Sequence, residues 1–272
     1  MSQIPIFLIN LERSTARLER MKDRLETLGL TFERVYAVDG NLLTESEKER
    51  LNPRRFWQIR KFPSEIACYV SHLKAMRLIA ERHLPRAIIL EDDAAFDDDF
   101  AVWAQHDCPI PEDTDVLKLE GFGAQNTIKI PISYYNNRII NFACKPSGGA
   151  AAYLLTLAGA NKALKKMLNI MRGQIDDDLF GYWKNGLKVY DVFPFPARQD
   201  HIDQATIRDG AVARPISFRL SRYIMRSYFK FKRFRYVLAT FGVKPLIAYY
   251  GLAALNCDSS AWTGTGKPYR TP

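Results

Sequence analysis

The sequence predicts an α/β fold in which a mostly parallel central sheet is flanked by helices. Two short apolar runs, residues 4–9 and 87–90, lack the polar alternation of half-exposed strands, and such runs are typical of strands buried on both faces. Segments with helical periodicity separate them. At 272 residues the chain is long enough for one large domain, which we expect at 1–213, followed by a tail at 214–272.

The chain is expected to begin with a strand, a helix and a second strand. Residues 4–9 form the first strand. The helix has its N-cap at Ser14 and ends at Gly29, a residue that commonly follows helix C-termini. Residues 32–38 form the second strand and lead into a tight turn at Gly40.

Two helices are expected before the third strand. Thr44 begins a capping box for a polar helix that extends to about residue 60. Ser64 is expected to cap a longer helix, whose apolar side extends to residue 80. The apolar run at 86–90 is the third strand.

The second half of the chain is expected to alternate in the same way. Its expected elements are, in order, a strand at 115–120, short strands or loop within 124–142, a strand ending at Leu155, a helix at 158–171, a helix starting near Gln174 and a strand from Tyr190. Alternation of strands and helices is typical of α/β proteins.

Three adjacent carboxylates, Glu91, Asp92 and Asp93, follow the strand at 86–90. Open α/β sheets bind ligands at the carboxyl ends of their strands. Carboxylates this close raise one another's pKa unless a cation lies between them, and a divalent cation shared with nucleotide phosphates would relieve that repulsion. The alternative is a solvated turn whose acids cap the next helix, the interpretation we favour for the later acids at 97–99.

Two arginines and a mid-helix polar pair are candidates for contacts with the same nucleotide. Arg13 and Arg17 are four residues apart, so they share a helix face and could bind phosphates as bidentate donors; the alternative is solvation at the surface. Ser71 and His72 lie in mid-helix, where serine is rarely favourable. They either form a satisfied polar pair beneath the sheet or back the nucleotide pocket.

The second half also holds a small-residue segment and a second acid cluster. Gly148 and Gly149 precede a strand, and small residues there let the backbone approach a ligand closely. Residues 176–178 are three aspartates at a helix start, with aromatic residues behind them. They either cap that helix or supply a carboxylate base beside an aromatic platform for a sugar. His201 is a candidate metal ligand, or else structural.

The positive charge of the chain is concentrated in the tail. The net charge is +9, and the stretch between Asp209 and Asp258 holds nine basic residues and no acid, so the remainder is close to neutral. A helical projection gives a basic face with Arg219, Arg222, Arg226, Lys230 and Arg233, and an apolar face with Leu220, Ile224, Tyr228, Phe231, Phe234 and Leu238. This pattern predicts docking on an anionic membrane surface. The alternative is that the aromatic side chains pack on the body.

The cysteines and the N-terminus indicate a cytoplasmic protein. Four cysteines are scattered without a CxxC pair, which argues against a zinc ribbon and a disulfide framework and favours a reducing compartment. The first ten residues lack a basic segment and a cleavage site, so we expect a strand and not a signal peptide. No uncharged apolar run is long enough to span a bilayer.

Taken together, these segments resemble glycosyltransferase family 25, the lipooligosaccharide galactosyltransferase family. The resemblance covers about residues 4–205 and is carried, in chain order, by residues 7–14 with Arg17, by 37–40, by 65–72 and by 88–93, with looser matches at 149–153 and 175–180. The chain departs from the family's pattern at Ser64, at Ala94 and at 174–176. These departures leave the acids in place and bear on acceptor preference.

The resemblance implies a GT-A-like fold, a nucleotide-sugar donor that is most often UDP-galactose, and a divalent cation such as Mn²⁺, with Mg²⁺ as an alternative. It implies inversion at the anomeric carbon, with Asp177 as the base and Asp176 or Asp178 as alternatives. The expected metal ligands are Asp93, Asp92 and His201. The expected donor-binding residues are Asn10, Leu11, Arg13, Arg17, Asp39, Ser71, His72, Glu91, Asp92, Gly148 and Gly149.

The resemblance also implies an acceptor, a lipid-linked glycan of lipooligosaccharide or lipopolysaccharide at the inner face of the bacterial cytoplasmic membrane. An alternative within enzymes is a glucosyl- or N-acetylhexosaminyl-transferase of the same fold. An alternative of another class is a non-catalytic protein that binds membranes or nucleic acid through the basic tail. A near-neutral body with two acid clusters would repel phosphate backbones, so we do not expect a nucleic-acid partner.

Overall fold

The computed structural model describes residues 3–52, 62–121, 129–200 and 216–245, with only the backbone described at 216–222. The strands are β1 (Ile6–Asn10), β2 (Glu33–Tyr36), β3 (Arg86–Glu91), β4 (Ala94–Phe96), β5 (Val116–Lys118), β6 (Lys129–Tyr135), β7 (Arg138–Ala143), β8 (Ala152–Thr156), β9 (Val189–Phe193) and β10 (Ala197–Gln199). The α-helices are α1 (Thr15–Thr27), α2 (Glu45–Leu51), α3 (Pro63–Glu81), α4 (Leu157–Met167), α5 (Ile175–Leu179), α6 (Tyr182–Asn185) and α7 (Ile216–Phe241). Short 3-10 helices occur at Gly40–Leu42 and Phe100–Ala104.

Eight strands form one sheet in the order β2-β1-β3-β8-β5-β9-β7-β6, and β4 pairs with β10. Three adjacent pairs of the large sheet are parallel and four are antiparallel. Six of its strands consequently run in one direction, while β7 and β8 run the opposite way. The predicted α/β class, with a mostly parallel central sheet flanked by helices, is confirmed.

The strands that lead to the site are buried because their side chains are apolar at nearly every position. All of β1 and residues 87–90 of β3 are buried. Helix α3 packs on β1, β2 and β3, and its Met76 and Ile79 have no exposed surface. Burial of such side chains supplies the main stabilising free energy of the fold.

The start of α3 differs from the prediction. Phe62, and not Ser64, is the N-cap residue, because Pro63 occupies the first position of the helix, where a missing amide hydrogen costs nothing. The Glu65 carboxylate accepts a hydrogen bond from the Phe62 amide. The predicted capping box at Thr44 is confirmed. The predicted continuation of that helix to residue 60 falls on residues 53–61, outside the described part of the chain.

The acids at 97–99 precede a 3-10 helix, but the predicted side-chain cap is wrong. Asp99 makes no capping hydrogen bond to that helix. Its carboxylate and that of Asp97 accept hydrogen bonds from Arg138, which β7 supplies. These acids therefore tie two distant segments together through an ion pair.

Helix α7 packs on α6 near its own C-terminus. Val237 is buried, and the Tyr236 ring lies 4.6 Å from the Tyr182 ring and 6.0 Å from the Phe142 ring, centroid to centroid. The aromatic side chains of the tail therefore divide between those on the body and those facing away. Among the described helices, none has the length and apolar character needed to cross a membrane.

Candidate active site

The candidate site lies at the edge of the sheet where β1, β3 and β5 end. Strand β8 runs against β3 and β5, so its beginning lies at the same edge. There the Glu91 amide donates to the Ala151 carbonyl at 2.9 Å, and the Ala151 amide donates to Glu120 Oε2 at 3.1 Å. The topology thus brings the predicted first acid cluster next to a further carboxylate, Glu120.

Glu91 is held from beneath by helix α3. His72 Nε2 lies 2.8 Å from Glu91 Oε1, and His72 Nδ1 lies 2.8 Å from the Tyr153 hydroxyl. Burial raises the pKa of Glu91, but the hydrogen bond and charge of His72, together with the Cys68 hydrogen bond and the Arg17 charge, lower it below its ordinary value. His72 is fully buried, and its role here is to orient Glu91.

Cys68 lies one helical turn before His72 and contacts the same carboxylate. Its sulfur is 3.7 Å from Glu91 Oε1, and the ligand atoms of Cys68, His72 and Glu91 lie within 4.8 Å of one another. Burial and the negative charge of Glu91 raise the pKa of the Cys68 thiol. Cys68 and His72 both already bond to Glu91, and His72 also bonds to Tyr153, so their polar atoms have partners without an ion.

Asp92 and Asp93 differ sharply in their partners. Asp92 accepts hydrogen bonds from Asn10 at 2.7 Å and from Arg17 at 2.8 Å, which occupy both of its oxygens. Asp93 Oδ2 accepts from Gln199 at 2.8 Å. Asp93 Oδ1 is buried and has no hydrogen-bond partner among the described residues. Burial, reinforced by the charge of Glu91, raises the pKa of Asp93 to about 6.

This environment fits a divalent cation. A buried carboxylate oxygen without a donor is destabilised, and burial also raises the pKa of Asp92, despite its hydrogen bonds from Asn10 and Arg17. Hard cations prefer carboxylate oxygens and often bind through one or two of them. Asp93 is therefore the best-placed ligand of the predicted set, with Asp92 beside it.

The remaining predicted residues of the first half stabilise the loops around this edge. Arg13 pairs with Asp39, whereas Arg17 lies at the acid cluster. Ser71 donates to the Ala67 carbonyl within α3 and accepts from the Val38 amide, so it joins the helix to the chain after β2.

Arg34, which no sequence motif had indicated, holds the chain at the end of β1. It donates to Asn10 Oδ1 at 2.6 Å and to the Leu11 carbonyl at 3.1 Å. Asn10 in turn donates to Asp92. Arg34 therefore orients Asn10, and through it the first acid cluster.

The segment Ser147–Gly148–Gly149 is a loop supported from below by Lys118. The Lys118 ammonium donates to the carbonyls of all three residues, at 2.9, 3.2 and 2.8 Å, and lies 3.8 Å from the Phe180 ring centroid. Lys118 is fully buried, and this burial lowers its pKa to about 8. The loop is thus fixed by a cation that the expected site residues did not include.

Glu120 lies directly under Gly149. A Cβ atom at Gly149 would be 2.6 Å from both Glu120 carboxylate oxygens, and Gly149 has a φ of +88°. Burial raises the pKa of Glu120 to about 7. The sequence signal for this pair was a lysine and a glutamate two residues apart along a buried strand, and therefore on one face of it.

The second acid cluster divides into three different environments. Asp176 accepts a hydrogen bond from the Gly149 amide at 3.0 Å. Its negative charge acts to raise the pKa of Lys118 and the pKa of Cys68. Asp178 is buried and accepts from the Tyr69 hydroxyl at 3.2 Å. Asp177 is exposed at the surface. Of the three, Asp176 is the one that contacts the glycine loop before β8.

The predicted ligand His201 lies outside the described residues. The chain leading to it is described, however, and the Asp200 amide donates to the Asp93 carbonyl at 2.6 Å. Asp200 also pairs with Arg24 of α1. The chain therefore passes close to Asp93 immediately before residue 201.

Comparison with known proteins places this arrangement in a family context. The model of a family described as "Glycosyltransferase family 25 (LPS biosynthesis protein)" matches residues 3–180. Over 182 residues the chain is 30% identical to procollagen galactosyltransferase 1-B of Xenopus laevis, covering 60% of this chain and 28% of that protein. Over 102 residues it is 32% identical to procollagen galactosyltransferase 2 of Homo sapiens, covering 35% and 16%. The chain thus spans less than a third of the length of these two relatives.

Two further likenesses are weaker. The chain is 24% identical over 247 residues to the probable inactive glycosyltransferase 25 family member 3 of Bos taurus, covering 77% of this chain and 39% of that protein. A solved structure of a glycosyltransferase involved in the glycosylation of the major capsid of PBCV-1 has a TM-score of 0.38 and 11% identity, covering 70% and 82%. At that score the likeness adds nothing to the fold described above.

Proposed function

The chain belongs to glycosyltransferase family 25, and from this membership we propose that it transfers galactose from UDP-galactose to a hydroxyl group of a glycan. Two of its relatives are named procollagen galactosyltransferases, which supports galactose as the transferred sugar. Another is named a probable inactive member, so activity depends on the residues of this chain. The observation that supports activity best is the buried Oδ1 of Asp93, which has no hydrogen-bond partner among the described residues and lies beside Asp92 and Glu91 at the strand ends.

The first acid cluster and Arg17 bind the diphosphate end of the donor. Asp93 and Asp92 would hold a divalent cation, Mn²⁺ or Mg²⁺, which neutralises charge on the departing diphosphate when bound. Arg17 already lies 2.8 Å from Asp92, and its planar guanidinium suits a phosphate oxygen pair. Asn10 and His72 hold Asp92 and Glu91 in fixed positions, so the charged groups need little rearrangement when the donor binds.

Asp176 is the carboxylate we propose as the base. The acceptor oxygen attacks the anomeric carbon, the bond from that carbon to the diphosphate breaks, and the acceptor proton moves to Asp176. Inversion follows, because attack and departure occur on opposite faces. Asp176 is fixed by a hydrogen bond from the Gly149 amide. Asp178 instead accepts hydrogen bonds from the Tyr69 hydroxyl and the Arg172 amide.

The acceptor we propose is a lipid-linked glycan, and the site of action is the cytoplasmic face of a bacterial membrane. The family description as an LPS biosynthesis protein supports this acceptor, and the basic composition of residues 214–257 supports an anionic surface nearby. A collagen-type acceptor, suggested by the names of the relatives, is the competing substrate.

A donor panel tests the proposal. The purified 272-residue chain is incubated with UDP-galactose, UDP-glucose or UDP-N-acetylhexosamines, and truncated lipooligosaccharide or a collagen peptide is the acceptor. We expect transfer from UDP-galactose to the lipooligosaccharide, dependent on Mn²⁺ and abolished by chelator. Transfer from another donor would reassign the sugar. Absence of transfer and of donor hydrolysis from every donor would make this an inactive family member.

A further inference from the structure

We propose that helix α7 docks this protein on an anionic lipid surface through an outward-facing apolar stripe. The outer stripe consists of Ile224, Tyr228, Phe231 and Leu238, whose side chains are 57%, 49%, 57% and 41% exposed. These positions are separated by four, three and seven residues, so they lie along one line of the helix. Single exposed apolar residues are common on proteins, but four of them aligned on one side of a helix mark an interaction surface.

The opposite face of α7 is already in use. Val237 is buried, and Tyr236 and Phe241 contact Phe142 of β7. Arg233, which the sequence placed on the basic face predicted to meet the membrane, instead lies 5.4 Å from the Trp183 ring of the body. The body therefore fixes the rotation of the helix, and this rotation turns the outer stripe away from the body.

The charges of the tail as a whole favour an anionic lipid surface. Arg226, Lys230, Arg235 and Lys244 are exposed, and no acidic residue occurs between Asp209 and Asp258. Each base near an anionic leaflet raises the partition coefficient about fivefold at low salt. Since the helix cannot span a bilayer, the fit is to an interfacial position parallel to the surface.

Two bases of α7, Lys232 and Arg235, lie on the same side of the helix as the outer stripe. Arg235 lies 6.0 Å from the Phe231 ring and Lys232 lies 5.5 Å from the Tyr228 ring. Long basic side chains can extend their charged ends to the headgroups while their stems cover apolar surface. A nucleic acid would use the bases but leave the aliphatic members of the stripe in water, so lipid is the better match.

Vesicle co-sedimentation of the full chain tests this surface. Wild-type protein should pellet with phosphatidylglycerol vesicles at low salt, release at high salt and ignore phosphatidylcholine vesicles. The double variant Ile224→Ser/Phe231→Ser should lower the partition coefficient about tenfold. Lys232→Glu/Arg235→Glu, which reverses the two bases beside the stripe, should lower it about 25-fold or more. Donor hydrolysis in solution should be unchanged in both, which separates this proposal from the proposed transfer reaction.

Two matched controls carry the same chemical changes elsewhere. Ile132→Ser/Tyr134→Ser alters exposed apolar side chains of β6, and Lys165→Glu/Lys166→Glu reverses two exposed charges on α4. Controls that bind vesicles like wild type support the proposal. Vesicle binding that the stripe variants leave unchanged overturns it. Binding to RNA without vesicles also overturns it, as does a dimer that the stripe variants convert to monomers without any vesicle binding.

Discussion

At the residue scale, three adjacent acids have three different environments. Glu91 is bonded to His72, Asp92 to Asn10 and Arg17, and Asp93 keeps one buried oxygen without a partner among the described residues. Their order in the sequence is that of a simple acidic cluster. Each of the three side chains contacts a different helix or loop. This difference in partners singles out Asp93 as the residue most dependent on a bound cation.

Replacing Asp93 by Asn should change the pH dependence of stability in the metal-free protein. The folded-state pKa of about 6 exceeds the ordinary value of 3.8, so the native state binds the proton more tightly than the unfolded state. Wild-type stability therefore falls as pH rises through this interval. Relative to wild type, Asp93→Asn should gain roughly 2–3 kcal/mol between about pH 4 and about pH 7, as measured by urea unfolding in chelator.

Asp98 provides the control, because it is an exposed member of the neighbouring acidic run. Asp98→Asn should leave the pH profile of wild type unchanged. A profile for Asp93→Asn that runs parallel to wild type would show that Asp93 is not destabilised by burial, and the main support for a cation at this position would be lost.

The second residue-scale prediction separates Asp176 from Asp177. Asp176→Asn keeps an oxygen acceptor for the Gly149 amide but removes the base, so kcat should fall at least about 100-fold while the KM for the donor changes little. Asp177→Asn, at the exposed neighbouring position, should stay within about twofold of wild type. Steady-state transfer assays of the two variants decide this. The opposite ranking would assign the base to Asp177.

At the element scale, the loop before β8 depends on two buried side chains of the β5 segment. Lys118 binds three carbonyls of the loop, and Glu120 occupies the space beneath Gly149. A buried charge of this kind is costly unless it is fully paired. The loop is therefore held in one conformation, which suits a surface that a nucleotide sugar must approach closely.

Gly149→Ala should disturb this loop more than backbone strain alone can explain. The added methyl group would meet the Glu120 carboxylate at 2.6 Å and would also require a φ of +88°. Gly29→Ala is the control, because Gly29 has a φ of +67° and no atom lies within 4 Å of the position that a Cβ would take there. We expect Gly29→Ala to cost about 1–2 kcal/mol and Gly149→Ala distinctly more, with a raised donor KM. Equal losses in urea unfolding, without a change in KM, would contradict this account.

At the scale of the whole molecule, α7 both completes the body and presents a surface. Its inner face carries Val237 and Tyr236 against β7 and α6. Its outer stripe has no comparable contacts among the described residues. A boundary at residue 213, as expected from composition, would therefore remove side chains that cover Phe142 and Tyr182.

Two tyrosine variants compare the contribution of the inner face of α7 to stability with that of its outer stripe. Tyr236→Ala should lower the free energy of unfolding by about 2–4 kcal/mol, because it removes a ring packed between Phe142 and Tyr182. Tyr228→Ala, on the outer stripe, should change it by less than about 0.5 kcal/mol. Thermal unfolding of both variants provides the measurement. If Tyr236→Ala is as stable as Tyr228→Ala, the tail is energetically separate from the body.

The sequence by itself determined the fold class, the position of the first acid cluster and the family. Each of these features can be read from one short segment or from the order of segments along the chain. An apolar run with no polar alternation predicts a buried strand wherever its neighbours lie, acids directly after it must lie at the end of that strand, and the order of several motifs can be read along the chain. The predicted strands therefore correspond to β1, β2, β3, β5, β8 and β9, with bounds that differ by a few residues.

The tertiary structure alone decided which acids share the site and how α7 is turned. Asp176 meets Gly149 across 27 residues, and Glu120 meets the β8 segment across 31. These contacts require β8 to run antiparallel between β3 and β5, which no local pattern encodes. The rotation of α7 likewise follows from the fit of Val237 and Tyr236 to the body, which the basic and apolar faces read from the sequence do not specify. Such choices depend on packing between distant segments, and the sequence pattern of one segment does not contain them.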